Sequence, residues 1–572
     1  MYAPATVPSP TPDLPAAVRP PRAAATIVVV RDGADGIEVL LSRRAERGDH
    51  NSGAWVFPGG IVDAADRLSH ACCSGLDDAT ASARLGLPEG GLDYYVAAVR
   101  ECFEESGLLF AVDANAELVT LDHEAGARLG VWRGPLHRNE RSMGELCEHA
   151  GLKLAVDRLA YLSHWLTPLG RAKRFDTRFF VAAVPFGQTA AFDGTEMVEQ
   201  LWLRPADALA RSAELKLMTP TQKSLEQIGR FDTTDALLAW ARAPREVTLT
   251  MPRIGSGSQG MRPVLPDEYA FDELGRLDPA GHGTASYEIQ PGVAVRLSPR
   301  LIRVTANNGS MMTGPGTNTY LLGGGVTNEW AVIDPGPLDD AHLEAILNAA
   351  PGPIRWIFVT HTHNDHSPAS LPLKGRTGAQ LLGRVAGHPE WQDTAFIPEV
   401  ALHGGERFEL PGPDGLTTTL RAIHTPGHAS NHICYLLEEE KLLFTGDHVM
   451  QASTVVINPP DGDMSAYVAS LRALLGEDLD WLAPGHGFLM ASPRRAMQGI
   501  IEHRLKREAK VIQSLREIGP AAEDALLANV YDDVPTRLHA MALRSLRAHL
   551  YKLRDEAAAA QTDGRWALRT GA

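Results

Sequence analysis

One short stretch constrains the fold more than any other. The apolar run IRWIFVT is followed at once by HTHNDH, residues 361–366. Such a run predicts a buried strand, so four side chains that can bind metals lie in a loop at its carboxyl end. Imidazole and carboxylate groups are the ligands that zinc prefers. Their alternation aims His361 and His363 at one ion, whereas Asp365 and His366 can reach a second. The alternative is a solvated, histidine-rich loop.

Length and composition set wider limits. A chain of 572 residues exceeds one core, and about two to four domains are expected. The hydrophobic content of 44% and charged content of 22% predict folded globular domains. The net charge of −16 argues against a general nucleic-acid binder. Five cysteines without C-x-x-C spacing indicate a reducing compartment, and no apolar run is long enough to cross a membrane. We therefore expect a cytoplasmic protein without a membrane partner.

Changes in pattern along the chain predict five segments. Residues 1–22 are rich in Pro and Ala, lack a signal-peptide core and are expected to be disordered. Strand and helix signals alternate over 23–245 and again over 286–497, which favours layered α/β domains. The Gly-, Pro- and Ser-rich residues 246–285 are interpreted as a linker. Residues 498–572 are mostly helical and end in two short strands joined at Asp563-Gly564.

Later motifs extend the histidine cluster. Strand-end or turn positions hold His428 in HTPGH, Asp447 in FTGDH, His486 in APGHG and Asp334 in VIDPG. In this order the motifs resemble those of the metallo-β-lactamase-fold hydrolases, over roughly residues 290–495. The resemblance implies an αββα sandwich and hydrolysis by a water molecule that two divalent metals activate.

The same resemblance implies the ligand set. One metal is held by His361, His363 and His428. The other is held by Asp365, His366 and His486, and Asp447 bridges the two. Asp334 orients the cluster. Zinc is expected, although these ligands also accept manganese and iron.

Five further histidines lie outside this pattern. The three near the motifs, His424, His432 and His448, are assigned supporting or structural roles. His388 and His403 have no partner that the sequence identifies.

A second cluster of acids lies in VRECFEESGLLF. On a helix Glu101 and Glu105 are one turn apart with Glu104 beside them, and such carboxylates repel one another. Their grouping is explained if they bind a hard cation, which prefers oxygen ligands. Arg100 can orient one of them, and Gly107 permits the helix to end. The alternative is a solvated acidic helix face.

This spacing resembles the second half of the Nudix box, with Gly59 and Gly60 of FPGG before it. Asp66 stands where the box has its first Glu, and an insertion separates it from Arg100. The region 25–245 is similar to the coenzyme A diphosphatase branch of that family. The resemblance implies an α/β/α sandwich and a Mg or Mn site that cleaves nucleoside diphosphates linked to another group.

Roles at the second site follow from the same resemblance. Catalysis is assigned to Arg100 and to the metal-binding Glu101, Glu104 and Glu105. Substrate binding is assigned to Gly59, Gly60 and Arg44. Arg43 and Arg47, like Arg44, can contact substrate phosphates, but they can equally be surface residues. Glu196 or Glu199 can add a catalytic carboxylate, although an exposed glutamate at a strand end is favoured.

The C-terminal helices, together with GPGTNTYLLG (residues 314–323), resemble the beta-lactamase-like protein 2 group, whose metal domain carries a small winged-helix-like module. Some members cleave single-stranded RNA. From residue 500 onward 12 Lys or Arg stand against 10 Asp or Glu, too balanced for a phosphate-tracking surface. We expect this module to cover the active-site mouth or an oligomer interface. Its leucines Leu543, Leu546 and Leu550 fit either a core or an interface.

Two functions remain at this stage. The first is a bifunctional metal-dependent hydrolase that acts on small molecules of the coenzyme A or acyl-coenzyme A type. The alternative is a metallo-β-lactamase-fold endoribonuclease or esterase whose Nudix half is a nucleotide-binding regulatory module. Clustered glutamates argue against the second, because ligand binding alone does not require them.

Overall fold

The structure, a computed structural model, describes residues 20–46, 52–121, 123–451 and 454–569. Most of the predicted tail 1–22, and Arg47, lie outside the described residues. The chain divides into two compact units. The first comprises residues 1–254 and 280–282, and the second comprises residues 255–279 and 283–572.

Within the described residues, the first unit contains an eight-stranded mixed sheet and a separate two-stranded sheet, ten strands in all. Its strands are β1 (Arg22–Gly33), β2 (Gly36–Arg44), β3 (Trp55–Val56), β4 (Gly59–Ile61), β5 (Ala111–Val112), β6 (Lys153–Leu154), β7 (Ala160–Leu166), β8 (Phe175–Ala183), β9 (Met197–Leu203) and β10 (Leu249–Thr250). Its α-helices are α1 (Ala64–Arg67), α2 (Asp78–Leu85), α3 (Gly91–Ser106), α4 (His123–Gly130), α5 (Arg133–His137), α6 (Met143–Ala150), α7 (Pro205–Ala210), α8 (Thr219–Ile228) and α9 (Thr234–Arg242).

Helix α3 occupies the centre of this unit. The main sheet runs β10-β7-β8-β1-β2-β3, with β4 paired to β1 and β9 to β2. On one face of α3, Tyr95, Val99 and Phe103 are buried in the same core as Ile27 of β1. The helix ends at Gly107, whose φ of 71° is accessible to glycine at little cost. This packing fixes the direction in which the acids of α3 point.

The second unit contains two larger sheets. Its strands are β11 (Arg253–Gly255, which begins in the first unit), β12 (Arg262–Val264), β13 (Val295–Ser298), β14 (Leu301–Thr305), β15 (Asn318–Gly324), β16 (Glu329–Ile333), β17 (Ile354–Phe358), β18 (Gln380–Gly383), β19 (Val400–Ala401), β20 (Arg407–Pro411), β21 (Thr417–His424), β22 (Ile433–Leu437), β23 (Leu442–Gly446), β24 (Trp481–Pro484), β25 (Met490–Ala491), β26 (Ala559–Thr562) and β27 (Arg565–Leu568). Its α-helices are α10 (Phe271–Leu277), α11 (Asp340–Ala349), α12 (Ser370–Thr377), α13 (Met464–Leu474), α14 (Pro493–Ile518), α15 (Glu523–Val530) and α16 (His539–Asp555).

These elements form four layers. Strands β13–β19 make one sheet and β20–β25 the other. Side chains of both sheets, such as Phe358 and Tyr435, share one core between them. The outer face of the first sheet packs with α11 and α12, where Ile346 and Leu373 are buried. The outer face of the second packs with α13 and α14, where Leu471 is buried. The order is therefore helix, sheet, sheet, helix, as the sequence predicts.

The C-terminal module has its own small core around Trp566, which is fully buried. Strands β26 and β27 pair as an antiparallel hairpin across Asp563-Gly564, whose φ values are both positive, as a tight hairpin turn requires. This predicted hairpin is confirmed. Leu546 and Leu550 are fully buried in the same cluster and Leu543 packs against it, so these leucines belong to the core.

The stretch predicted as a linker, residues 246–285, is structured. It contains β10, β11, β12 and α10, and it is divided between the two units. Glu273 of α10 accepts two hydrogen bonds from Arg303 of β14, at 2.6 and 2.9 Å, and one from the backbone N–H of Leu489. The Gly- and Pro-rich composition gave no sign of this charged pair, which joins α10 to the first large sheet.

This buried pair gives a stability prediction. Arg303→Met leaves the carboxylate of Glu273 buried without its countercharge, and the free energy of unfolding of the second unit is expected to fall by about 3–5 kcal/mol. Urea unfolding, followed by tryptophan fluorescence, measures it. Adding Glu273→Gln removes the buried charge and restores part of the loss. The exposed pair Arg376–Glu344 is the control, because Arg376→Met costs less than about 1 kcal/mol. Equal losses in both single variants would contradict the argument.

In the described part of the chain, none of the helices combines the length and apolar character needed to cross a bilayer.

Candidate functional site

The histidine loop follows β17, as predicted. Asp334, at the end of β16, holds this loop. Its carboxylate accepts hydrogen bonds from the backbone N–H and the hydroxyl of Thr360, both at 2.7 Å, and lies 2.9 Å from Nδ1 of His366. The φ of Asp334 is 52°, a left-handed conformation that is uncommon outside glycine. Asp334 thus orients the cluster without facing its centre.

Three histidines converge on one point. His361 Nε2 lies 2.9 Å from His363 Nδ1, which lies 3.0 Å from His428 Nε2. His428 is fixed from behind, since its Nδ1 lies 2.8 Å from the carbonyl oxygen of Val456. The facing nitrogens of all three lie within 4.8 Å of one another.

A second group of four donors lies beside the first, and its atoms also lie within 4.8 Å of one another: Asp365, His366, Asp447 and His486. Oδ1 of Asp447 is 3.1 Å from His486 Nε2 and 3.3 Å from His366 Nε2. Its Oδ2 turns the other way and lies 3.7 Å from His428 Nε2. One carboxylate therefore faces both groups.

The chemistry of these donors fits divalent metals. His366 Nε2 and Asp447 Oδ1 are buried polar atoms without a hydrogen-bond partner. Burial lowers the pKa of His363 to about 3, so this imidazole is neutral. Burial alone would raise the pKa of Asp447, but the neighbouring imidazoles hold it well below its usual range. In the second group burial opposes the charged form, but the carboxylates outweigh it and raise the pKa of His366 and of His486, so a metal ion would take the place of protons there. Imidazole and carboxylate donors of this kind are the set that zinc or a similar ion takes.

The remaining histidines surround this centre. His432 is fully buried and stacks on His361, with ring centroids 5.1 Å apart. His448 packs between His432 and Tyr467. His424 lies 3.1 Å from the carbonyl oxygen of Ser430.

His388 and His403 lie farther out. The backbone N–H of His388 donates a hydrogen bond to Asp461, whereas His403 Nδ1 lies 3.4 Å from Arg384 Nη1.

Sequence reasoning missed Thr317. Its hydroxyl donates a hydrogen bond to Oδ2 of Asp365 at 3.2 Å, and its backbone N–H is held by Asn308. The signal was present in GPGTNTYLLG, which the sequence analysis used only to recognise the family.

The acids of the first unit surround an arginine. Arg100 donates to Asp66 through Nε at 2.8 Å and Nη2 at 3.1 Å, and through Nη1 to Glu101 at 2.8 Å and Glu104 at 3.3 Å. All four side chains are buried. Asp66, whose role the sequence left open, is therefore the bidentate partner of Arg100.

Burial changes the proton affinity of these acids. It raises the pKa of Glu104 to about 8 and that of Glu105 well above its usual range. The rise in the pKa of Glu105 is partly offset by a hydrogen bond from the backbone N–H of Gly59, at 3.1 Å. A Cβ at Gly60 would lie 2.4 Å from Oε1 of Glu101, so a larger residue there would displace that carboxylate. Both glycines, which the sequence assigns to substrate binding, support the acids in this structure.

Oxygen donors of this kind fit a hard cation such as Mg²⁺. Within the residues that the structure describes, however, no three of these carboxylates bring donor atoms within 4.8 Å of one another. Glu196 shares a neighbour, His137, with Glu104. The imidazole of His137 is 3.6 Å from the carboxylate of Glu104 and 4.0 Å from that of Glu196. Glu199 instead pairs with Arg43 at 2.9 Å on the surface.

Arg44 ends β2, opposite Met197 of β9. Its positive charge favours the ionised form of Glu105, so it faces the acids.

Comparison with known proteins decides the family. The Metallo-beta-lactamase superfamily model matches residues 312–486. A lactamase-like protein of Penicillium aethiopicum, vrtG, is 33% identical over 237 residues, which are 41% of this chain and 71% of that protein. The chain belongs to the metallo-beta-lactamase superfamily. The NUDT19 Nudix domain model matches residues 77–231, and the Beta-lactamase associated winged helix domain model matches residues 523–566.

A second relative and a solved structure are also similar to this chain. The atrochrysone carboxyl ACP thioesterase of Aspergillus fumigatus is 32% identical over 226 residues, 39% of this chain and 67% of that protein. A metallo-beta-lactamase family protein of Thermus thermophilus matches with a TM-score of 0.40 and 22% identity, over 48% of this chain and 100% of that structure. The predicted order of Nudix, metallo-β-lactamase and winged-helix folds is confirmed, and this member of the superfamily is a hydrolase.

In this superfamily member a cavity of about 580 Å³ opens on the metal-ligand groups. The metallo-β-lactamase fold lines it with His363, Asp447 and apolar side chains such as Met312 and Val456. The C-terminal module supplies the facing wall from α14 and α16. This placement agrees with the expectation that the module covers the mouth of the site; both that role and an oligomer interface stay predictions.

Proposed function

We propose that the metallo-β-lactamase half hydrolyses thioesters of the acyl-coenzyme A or acyl-carrier type. The observation that carries this proposal is the pair of donor groups joined by Asp447 at the floor of a 580 Å³ cavity that is partly apolar. Such a cavity suits an acyl chain. The relatives named as carboxyl ACP thioesterases support the same substrate class.

In this proposal one metal is held by His361, His363 and His428, and a second by Asp365, His366 and His486, with Asp447 between them. Divalent ions at these positions would supply Lewis-acid activation of water and of the substrate carbonyl. Hydrolysis then breaks the carbonyl carbon–sulfur bond and gives a carboxylic acid and a thiol.

Residues around the ligands set their geometry. Asp334 holds His366 at Nδ1, which leaves Nε2 to face the centre. Thr317 fixes one oxygen of Asp365, and the carbonyl of Val456 fixes the ring of His428.

We further propose that the Nudix half is a Mg²⁺- or Mn²⁺-dependent diphosphatase that acts on coenzyme A or a similar nucleoside diphosphate. Support comes from the matching family model and from Glu101, Glu104 and Glu105, which are buried together and whose pKa values are raised by that burial. One observation favours the alternative, a nucleotide-binding module, because Arg100 already engages two of these carboxylates.

Metal removal tests the first proposal. Treatment of the whole protein with EDTA is expected to lower kcat/KM for acyl-coenzyme A by about 100-fold or more, and Zn²⁺ or Mn²⁺ is expected to restore it. Thiol release is followed by a colorimetric reagent and bound metal by elemental analysis. The panel also contains ADP-ribose and short single-stranded RNA. Cleavage of RNA but of no thioester would instead establish the endoribonuclease.

A further inference from the structure

The cavity is lined by both parts of the second unit. The metallo-β-lactamase fold contributes apolar side chains such as Met312 and Val456 beside polar and acidic ones. The C-terminal module contributes apolar side chains such as Leu538 and Met541, and three arginines: Arg504 and Arg507 of α14 and Arg544 of α16. The whole module is nearly neutral, so these arginines are a local concentration of positive charge.

Only part of that charge is compensated. Arg507 makes two hydrogen bonds to the carboxylate of Asp533, at 2.8 and 3.0 Å, and a third to the carbonyl of Val530. Arg504 is 3% exposed and donates to the carbonyl of Val455, but its Nε has no hydrogen-bond partner. Within the described residues, Arg504 has no carboxylate within 4.0 Å.

Arg544 is the accessible cation of this wall. Its guanidinium carbon lies 5.4 Å from the ring centroid of Trp391, and in the described part of the chain it too has no carboxylate within 4.0 Å. Trp391 is 56% exposed and has a φ of 68°, a conformation that costs free energy for a side chain of this size. The contact holds Arg544 at the cavity mouth, against a loop of the metallo-β-lactamase fold.

The acids that line the cavity do not neutralise these two arginines. Asp365 and Asp447 belong to the metal-ligand groups, and Asp461 accepts hydrogen bonds from Ser430 and Gln392. Glu390 is exposed beside Trp391 at the rim. A buried guanidinium without a countercharge is costly, and an anion that enters with the substrate would offset that cost.

We propose that Arg544, with Arg504 in the same cavity lining, binds an anionic group of the thioester substrate, a phosphate or a carboxylate, while the thioester carbonyl lies at the donor groups. This inference rests on the proposed thioesterase function and names the determinant of its specificity. A guanidinium binds either anion by paired, charge-assisted hydrogen bonds, and the apolar side chains of the cavity accommodate the acyl chain.

The test compares three thioesters with the same whole protein: butyryl-coenzyme A, butyryl-N-acetylcysteamine, which is neutral, and glutaryl-N-acetylcysteamine, which carries a carboxylate. In Arg544→Met the ratio of kcat/KM for an anionic over the neutral thioester is expected to fall by about 10- to 100-fold, because one charge-assisted contact is lost. Arg544→Lys is expected to retain part of the ratio. A fall with the coenzyme A ester alone identifies the phosphate as the anion, and a fall with the glutaryl ester alone identifies the carboxylate.

Arg547→Met is the matched control. Arg547 lies on the same helix, pairs with Glu523 at 2.8 Å and does not line the cavity, so its substitution is expected to leave the ratio unchanged. An unchanged ratio in Arg544→Met overturns the inference, as does an equal loss on all three esters.

The two proposals can fail separately. If the wild-type protein hydrolyses none of the thioesters, the proposed function fails. Calorimetric titration with coenzyme A and with glutarate then tests anion binding directly. Weaker binding in Arg544→Met than in Arg547→Met supports the anion site, and equal binding in both overturns it.

Discussion

Asp447→Ala is expected to lower kcat for thioester hydrolysis by about 10³-fold or more and to reduce the bound metal. The reason is geometric, because the two oxygens of Asp447 face different donor groups, and removing a single supporting contact to a metal ligand already costs about 10- to 100-fold. Steady-state kinetics and elemental analysis on the same preparation measure both effects.

Asp478→Ala controls for the loss of a carboxylate. Asp478 is 79% exposed and pairs only with Lys441 at the surface, so activity and metal content are expected to stay at the wild-type level. Thermal unfolding of both variants separates loss of metal from loss of fold. Two bound metals and undiminished kcat in Asp447→Ala would remove Asp447 from the centre.

Glu104→Gln is expected to lower Mg²⁺-dependent cleavage of coenzyme A by about 10²- to 10³-fold, with products separated by mass spectrometry. The wild-type protein should also show a characteristic pH dependence. Because burial raises the pKa of Glu104 to about 8, this carboxyl is protonated at neutral pH and must lose its proton to bind a cation. Apparent Mg²⁺ affinity is therefore expected to rise with pH through about 8 and then to level off.

Glu199→Gln is the control for this site, since Glu199 pairs with Arg43 on the surface. Thioester hydrolysis should be unaffected in both variants, because the residues proposed for it lie in the other unit. If the wild-type protein cleaves no diphosphate under any metal while it hydrolyses thioesters, the Nudix half is a binding module. In that case Glu104→Gln should alter nucleotide affinity rather than turnover.

The convergence of these donor residues could be predicted from the sequence, because all of them follow strands or turns with recognisable motifs. That they bind metal stays a prediction. Ligands such as His361 and His486 come together because the carboxyl ends of strands meet at one edge of the sandwich. The sequence could not show that the two oxygens of Asp447 face opposite groups, since that depends on one side-chain orientation. It also missed Arg544, because no motif links a residue of α16 to the histidine loop.

The acids of the first unit show a different limit. Spacing alone grouped Glu101, Glu104 and Glu105 on one helix. The insertion separated Asp66 from them, so its contact with Arg100 is visible only in three dimensions. The linker that composition predicts at residues 246–285 is wrong. Glycine and proline there suggested an open segment, but Glu273 pairs with the buried Arg303.

That last feature bears on how the two halves can be separated. A protein piece cut at residue 286, where composition places the start of the metallo-β-lactamase domain, would lack α10 and leave Arg303 buried beside an empty groove. A piece that begins at Gly255 keeps the helix and its carboxylate. The smallest piece expected to fold alone is therefore longer than residues 312–486, which match the metallo-beta-lactamase family model, because the chain between the halves supplies part of the second one's interior.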